Sequence, residues 1–344
     1  MKAERVVAGV VGVSLLLGGY ALSELEKPGT PIEAIDPSVL PDELPPAVEE
    51  TQPRAMTIAR RRLDGQNKNT ELEYGSAVAL TSTIGITAGH VLFRNQPTKL
   101  GSFEIPFTEE AVPIADKCES IRVSSTTKTP KLGWTLERAR INIYGKSTPV
   151  MRYAGEANLE DEETDLALFT LSKPLDLDLK RMPIRKSRVR RGESLFFFNY
   201  QPDEGGGRRM PDQSYISATG ERGKYSSPAI YGGIALGYTE GERLGVATSF
   251  RSYGHTNETS VRRGASGGQI VDAEGRLVGV TSMYYEADLP VVSKVQGSHP
   301  ASAKSTETQR ATIAVVQTVS EKHIEELGEQ MADAPICTAV GSIN

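Results

Sequence analysis

The 344-residue sequence is poor in histidine and cysteine. It has four histidines and two cysteines, and the spacing of Cys118 and Cys337 fits no metal-binding motif. No strand-to-helix transition surrounds the glycine run Gly205–Gly207, so it does not form a phosphate-binding loop. The net charge is −5 and long basic runs are missing, which argues against a nucleic-acid-binding protein. We therefore expect no metal, no cofactor and no nucleic-acid partner.

Long hydrophobic runs are also scarce, and the clearest uncharged stretch lies at the N-terminus. Lys2 and Arg5 precede residues 6–23, and Ala21 and Ser23 have the spacing of a signal-peptidase site. The stretch is also close to the length that spans a bilayer, so an uncleaved membrane anchor is the alternative. Both interpretations predict an extracytoplasmic protein that is secreted, periplasmic or anchored facing outside, with residues 6–23 as a possible membrane tether.

Export would bring the two cysteines into a compartment where disulfides persist. The sequence leaves two states open, a bridge between Cys118 and Cys337 or two separate buried thiols.

The composition divides the chain into four parts. Residues 1–23 are the signal peptide or anchor, and residues 24–62 are rich in proline and acidic residues, which predicts a disordered linker. Residues 63–332 carry the pattern of a folded domain, and residues 333–344 form a C-terminal tail.

Short alternating and β-branched runs dominate from residue 71 onward and predict an all-β domain, built as barrels or a sandwich. One helical pattern stands out, from Val319 to Met331, with Ser320 as its predicted N-cap. The predicted strands cover residues 76–80, 84–92, 120–125, 140–144, 166–171, 193–199, 229–236, 245–250, 269–271, 277–283 and 312–316.

A glycine-rich turn at residues 264–268 has the composition of a nucleophile site. Ser266 is flanked by Gly264, Gly267 and Gly268, which permit unusual backbone conformations and close approach of another backbone. The backbone N–H groups around Ser266 could then face an oxyanion. By composition alone, a simple tight turn between two strands is the alternative.

Among the four histidines, His90 has the position of a general base. It ends a predicted strand after the small residues Thr87, Ala88 and Gly89, which would leave its imidazole open on one side. The other three lie in contexts that predict surface residues, namely His255, His299 and His323.

Asp165 enters an apolar strand, where its carboxylate loses hydration and needs a hydrogen-bond donor. An imidazole N–H is such a donor, and an ionised Asp165 would orient that ring. A carboxylate that only caps a strand turn is the alternative.

The three segments Thr87–His90, Thr164–Leu168 and Gly264–Gly268 follow each other in the order His, Asp, Ser. Together they resemble the motifs of the trypsin-like (chymotrypsin-fold) serine peptidases, particularly the bacterial members. The resemblance covers about residues 71–327. It implies an all-β fold of two six-stranded antiparallel β-barrels with the active site between them and a closing C-terminal helix.

The resemblance also implies a serine endopeptidase that acts on protein or peptide substrates through an acyl-enzyme. Ser266 would be the nucleophile, His90 the general base and then acid, and Asp165 the orienting carboxylate. The N–H groups of Gly264 and Ser266 would form the oxyanion hole. The alternative function is a catalytically inactive trypsin-like domain that acts as an extracytoplasmic binding or assembly module.

The same resemblance implies a substrate-binding role for Ser260, Ser282 and Tyr284. Ser260 is uncharged and Tyr284 stands where a glycine often keeps the specificity pocket open, so a pocket for Lys or Arg is not supported. Ala265 replaces the aspartate that anchors a freed N-terminus in the animal digestive enzymes, which excludes activation by that salt bridge.

Overall fold

The computed structural model describes residues 34–63, 70–94, 99–100, 103–104, 112–113, 135–143, 146–157, 164–200, 208–209, 214–216, 222–224, 229–239, 243–253, 259–262, 264–294 and 304–333. Every structural statement below concerns these residues.

The first half of the described chain forms a closed antiparallel barrel. Its strand order is β1-β2-β3-β6-β5-β4, and pairing of β4 with β1 closes it. The six strands are β1 (Ala55–Leu63), β2 (Thr70–Ala79), β3 (Ile84–Thr87), β4 (Thr135–Ile143), β5 (Lys146–Ala157) and β6 (Asp165–Leu171).

The second half forms another closed antiparallel barrel with the same connectivity. Its order is β7-β8-β9-β12-β11-β10, and pairing of β10 with β7 closes it. The six strands are β7 (Ser194–Asn199), β8 (Ala229–Tyr238), β9 (Leu244–Ser252), β10 (Gln269–Val271), β11 (Leu277–Lys294) and β12 (Lys304–Thr318). The predicted pair of six-stranded antiparallel barrels is confirmed.

Shorter elements flank the barrels. The α-helices are α1 (Pro46–Glu49), α2 (Gly89–Leu92) and α3 (Glu321–Asp333), and single 3-10 turns cover Pro37–Val39 and Gln52–Arg54. Two small two-stranded sheets pair Phe93–Arg94 with Val112–Pro113 and Lys99–Leu100 with Phe103–Glu104, and a three-stranded sheet joins Arg208–Arg209, Ser214–Ile216 and Arg222–Lys224.

The closing helix α3 is the helix that the sequence predicted. The Ser320 hydroxyl caps it by accepting a hydrogen bond from the N–H of His323 at 3.2 Å. Leu327 and Met331 are buried in a hydrophobic cluster with side chains of the first barrel. The helix therefore carries the chain from the second barrel back onto the first.

The phenylalanine run of β7 shows how the barrels share a core. Side chains alternate between the two faces of a strand. Phe197 stacks on Tyr231 inside the second barrel, with ring centroids 5.1 Å apart. Phe196 and Phe198 face the other way and join the cluster that contains the first-barrel core. A strand that is buried on both faces explains why this run has no polar alternation.

The prediction of a disordered linker at residues 24–62 is wrong for residues 34–62, the part that the structure describes. Ile35, Leu40 and Val48 are buried there, and Val292 donates a backbone hydrogen bond to the carbonyl of Ile35 at 2.7 Å. Several prolines of the segment lie at the starts of short helical turns, where proline is compatible with an ordered backbone. The few apolar side chains of the segment are buried although they are far apart in sequence. The folded domain thus begins well before residue 63, and the first residues of β1 supply buried side chains.

Several strand boundaries also differ from the prediction. The chain leaves β3 at Thr87 and turns into α2, so His90 lies on a short helix rather than at a strand end. Strand β5 was not predicted. Strand β11 continues well past its predicted end and β12 begins well before its predicted start, because the two strands pair with each other along a long hairpin.

Some predictions fall outside the described residues. These concern the signal peptide or anchor at 1–23, the strand at 120–125, the tail after residue 333, His255, His299, Cys118 and Cys337. Within the described ranges, no helix has the length and apolar character needed to cross a membrane.

Candidate functional site

His90 and Asp165 meet at one end of the first barrel. Strands β3 and β6 are antiparallel neighbours, with Thr87 opposite Ala167, so the start of β6 lies beside the residues that follow β3. The His90 ring nitrogen Nδ1 lies 2.9 Å from Asp165 Oδ2. The backbone N–H of His90 also donates to Asp165 Oδ1 at 2.8 Å. Two independent contacts therefore fix the imidazole on the carboxylate.

Asp165 is fully buried, and the second barrel completes its surroundings. The Ser282 hydroxyl donates to Asp165 Oδ2 at 2.5 Å, and the Asp165 N–H donates to the side-chain oxygen of Gln317 at 3.2 Å. Burial raises the pKa of Asp165, but the electrostatic interaction with His90 and the hydrogen bonds from His90 and Ser282 outweigh it and hold the pKa below its ordinary value. The carboxylate is therefore held in its ionised form.

Ser266 lies in a tight turn immediately before β10. Gly264 and Gly267 have φ angles of 94° and 82°, in the region that favours glycine. Gly267 donates to the carbonyl of Thr281 at 2.7 Å, and Gly268 donates to that of Ala265 at 2.8 Å. By contrast, the N–H groups of Gly264 and Ser266 donate no hydrogen bond within the described part of the chain. Both groups are thus available to an outside acceptor.

The turn is docked on the first barrel through Ser76 of β2. The Ser76 N–H donates to the carbonyl of Ser266 at 2.7 Å, and its hydroxyl donates to the carbonyl of Gly264 at 3.0 Å. The same hydroxyl accepts the N–H of Tyr200 at 2.9 Å. A residue of one barrel therefore fixes the nucleophile turn of the other.

The turn also approaches the residues just before His90. A Cβ placed on Gly267 would lie 2.0 Å from the hydroxyl oxygen of Thr87 and 3.0 Å from the N atom of Ala88. Only glycine permits this approach, which sets the turn against the end of β3.

Ser282 connects the two halves of the site. The Ser266 hydroxyl lies 3.4 Å from the carbonyl oxygen of Ser282, whose own hydroxyl contacts Asp165. The structure thus brings His90, Asp165 and Ser266 to one place at the junction of the barrels. Tyr284, two residues along β11, is 40% exposed there.

Two residues that were predicted to bind substrate, Ser260 and Ser282, have side chains that are buried. Ser260 is buried in the segment that leads into the turn, rather than lining an open surface. Ser282 was predicted only as a substrate-binding residue, whereas its hydroxyl bonds to Asp165.

Sequence reasoning missed Ser76 and Gln317. Their partners lie far away in sequence, 188 residues for the hydroxyl of Ser76 and Gly264 and 152 residues for Gln317 and Asp165. The available signal was a hydroxyl residue between Gly75 and the apolar run Ala77–Ala79, which alone predicts no role.

The arrangement can perform nucleophilic chemistry with its own side chains. It offers a hydroxyl, an imidazole oriented by an ionised carboxylate, and two N–H groups without a bonded acceptor in the described chain. The described residues contain no cluster of His, Cys, Asp or Glu that could hold a metal ion.

Comparison with known proteins gives one family match. Residues 75–280, which are 206 of the 344 residues, match the family model of the trypsin-like peptidase domain. No curated protein matches the sequence.

Two solved structures are similar at low sequence identity. One is the active form of the Rv3671c protease from M. tuberculosis, at 13% identity and a TM-score of 0.42, covering 92% of this chain and 94% of that chain. The other is an inactive serine-to-alanine mutant of Rv3671c from M. tuberculosis H37Rv, at 10% identity and a TM-score of 0.39, covering 84% of this chain and 92% of that chain.

Proposed function

The chain belongs to the trypsin-like peptidase family, and on that premise we propose that it is a serine endopeptidase that cleaves proteins or peptides through an acyl-enzyme. The observation that carries the proposal is the contact of His90 with a buried, ionised Asp165 beside the Ser266 turn. A tight turn used only for structure would need neither the imidazole nor the carboxylate.

In the proposed reaction, the Nδ1–H group of His90 donates a hydrogen bond to Asp165 and keeps its proton, because an ionised carboxylate can only accept. This leaves Nε2 free to take the hydroxyl proton of Ser266 as the oxygen attacks the substrate carbonyl. The N–H groups of Gly264 and Ser266 stabilise the resulting oxyanion. His90 then returns the proton to the leaving amine, and water repeats the sequence to release the acid and restore Ser266.

A fluorophosphonate probe tests the nucleophile directly. We expect it to label the wild-type protein on Ser266, and we expect Ser266→Ala to keep the circular dichroism spectrum while losing both labelling and turnover of a general protein substrate. Ser187→Ala removes an exposed hydroxyl far along the chain and should label normally. A wild-type protein that stays unlabelled, under conditions where a known serine peptidase reacts, would favour the inactive binding module.

We further propose that residues 1–23 direct export and that the peptidase acts outside the cytoplasm. N-terminal sequencing and cell fractionation distinguish a cleaved signal from a retained tether. A full-length protein found in the cytoplasm would refute export.

A further inference from the structure

The segment before the first barrel, residues 34–54, contacts both barrels, and we call it the N-terminal strap. On the second barrel the hydroxyl of Tyr253 donates to the carbonyl of Pro41 at 2.8 Å. On the first barrel the buried side chain of Arg54 donates to the carbonyl of Ala79 at 3.3 Å. The match to the peptidase family model does not include the strap. The strap is therefore a feature of this chain beyond the matched domain.

One strap residue bonds to the strand that follows the nucleophile turn. The buried side chain of Gln269, the first residue of β10, donates from Nε2 to the hydroxyl oxygen of Thr51 at 2.6 Å. The direction of this bond is fixed, because the Thr51 hydroxyl gives its only proton to the carbonyl of Val48 at 2.7 Å. After β10, a Cβ placed on Gly275 would lie 2.3 Å from the carbonyl oxygen of Ala47. The strap thus packs closely at both ends of β10.

Gln269 is the first residue after Ser266 whose side chain can hold the turn. Only Gly267 and Gly268 lie between the two residues, and glycine has the greatest backbone freedom. Ser76 fixes the turn from the first barrel through the carbonyl of Ser266. The bond of Gln269 to the strap therefore fixes the side of the turn that leads into β10.

The amide of Gln269 is an unfavourable group for a buried position. Its Oε1 atom is buried without a hydrogen-bond partner in the described part of the chain. Phe198 and Val280, which lie opposite Gln269 on the two neighbouring strands, are buried and apolar. An unsatisfied buried polar atom destabilises a fold, and an apolar side chain of similar size avoids that loss. Stability alone therefore does not explain a glutamine at this position.

We propose that Thr51 and Gln269 are positioning residues, through which the N-terminal strap holds the Ser266 turn in the conformation that catalysis needs. The proposal rests on the proposed peptidase function and adds a requirement for it outside the triad. Ala265 excludes the ion pair by which the animal digestive enzymes anchor a freed N-terminus. The strap supports the turn from an uncut chain instead, so the site forms without proteolytic activation.

Gln269→Leu is the most informative variant, because stability and catalysis should respond differently. Leucine removes the unsatisfied Oε1 atom, and the Thr51 hydroxyl keeps its acceptor, the carbonyl of Val48. The urea midpoint should therefore equal or exceed that of the wild type. Misplacing a catalytic group by about 1 Å can lower a rate roughly 10²-fold, and the variant frees only one side of the turn, so we expect kcat to fall about tenfold with KM nearly unchanged. A folded Gln269→Leu protein with the kcat of the wild type would overturn the proposal.

Variants of Thr51 test the partner in the strap. Thr51→Val removes the hydroxyl and should lower kcat by the same factor, whereas Thr51→Ser keeps the hydroxyl and should retain most of the activity. Combining Thr51→Val with Gln269→Leu should cause no further loss, because both changes remove the same contact. Losses that multiply to roughly a hundredfold would show that the two residues act independently, which overturns the proposal.

Tyr253→Phe is the matched control. It removes a hydrogen bond between the strap and the second barrel, at Pro41, and leaves the contact of Thr51 with Gln269 in place. We expect it to lower stability and to leave kcat unchanged. An equal loss of kcat in this control would show a general effect of loosening the strap and would refute the assigned roles.

Hydrogen exchange tests the turn without any turnover. The N–H groups of Gly267 and Gly268 donate backbone hydrogen bonds, so their exchange rates report whether the turn keeps its conformation. Both groups should exchange faster in Gln269→Leu than in the wild type or in Tyr253→Phe. Faster exchange in a protein that the fluorophosphonate probe does not label would support the positioning role and refute the peptidase function. Unchanged exchange would refute the positioning role and leave the peptidase function intact.

Discussion

Replacing Ser76 by alanine should slow catalysis without removing any group that touches the substrate. Alanine keeps the N–H of residue 76 that bonds to the carbonyl of Ser266 at 2.7 Å, so the turn stays docked. It removes the hydroxyl that bonds to the carbonyl of Gly264 at 3.0 Å and accepts the N–H of Tyr200 at 2.9 Å. The perturbation thus loosens one side of the turn, at the residue that carries a proposed oxyanion donor.

The loss of stability follows from two backbone groups that lose the Ser76 hydroxyl as a partner, the carbonyl of Gly264 and the N–H of Tyr200. An unsatisfied buried backbone group costs about 1–3 kcal/mol. Tyr200 is buried and Gly264 only half-buried, so we expect the free energy of unfolding to fall by about 3 kcal/mol. Deleting an oxyanion donor lowers kcat by roughly 10²–10³. Ser76→Ala only frees the Gly264 peptide to move, so we expect a smaller loss of about tenfold in kcat, with KM nearly unchanged.

Urea unfolding and steady-state kinetics on a three-residue peptide measure the two effects, and the rate of fluorophosphonate labelling should fall with kcat. Thr57→Val is the matched control, because the Thr57 hydroxyl bonds at 3.2 Å to the carbonyl of Gly75, which is next to Ser76. It should lower stability and leave kcat unchanged. A folded Ser76→Ala protein with the kcat of the wild type would refute the positioning role.

Three further outcomes can be checked. Because the pKa of Asp165 is lowered in the fold, its ionisation stabilises the protein above its ordinary pKa of about 3.9, and this contribution is lost as the pH falls through the lowered value. Ser282→Ala removes one hydrogen bond that lowers that pKa, so the difference between the folded and unfolded pKa shrinks and the variant should lose less stability on acidification than the wild type; equal acid losses would contradict this. Gly267→Ala should separate the turn from β3, because the added Cβ would lie 2.0 Å from the hydroxyl oxygen of Thr87 and the residue has a φ of 82°. Fluorophosphonate labelling of the folded variant should fall at least tenfold. Removing residues 34–54 in addition to residues 1–33 should lower the free energy of unfolding by roughly 5 kcal/mol or more, because the buried side chains of Ile35, Leu40 and Val48 are lost. An unchanged urea midpoint would support a disordered linker instead.

The class of fold and the chemistry of the candidate site could both be predicted from local sequence patterns. Alternating apolar runs are local signals, and they predicted most of the barrel strands and the closing helix. The segments around His90, Asp165 and Ser266 each carry their chemistry in neighbouring residues, so they could be recognised without knowledge of the fold. Strand ends were less accurate, because β11 and β12 are extended by their mutual pairing rather than by their composition.

The residues that support that site could not be predicted from local patterns, because they come together only in the fold. Ser76 and Gln317 act on partners in the other barrel, and no local pattern in either strand predicts such a contact. The proline-rich segment before residue 55 has few apolar residues, which predicts a linker. In the structure Ile35 and Leu40 are nevertheless buried against side chains of the second barrel. These features are long-range contacts, whose energy comes from burial and pairing that the sequence does not display.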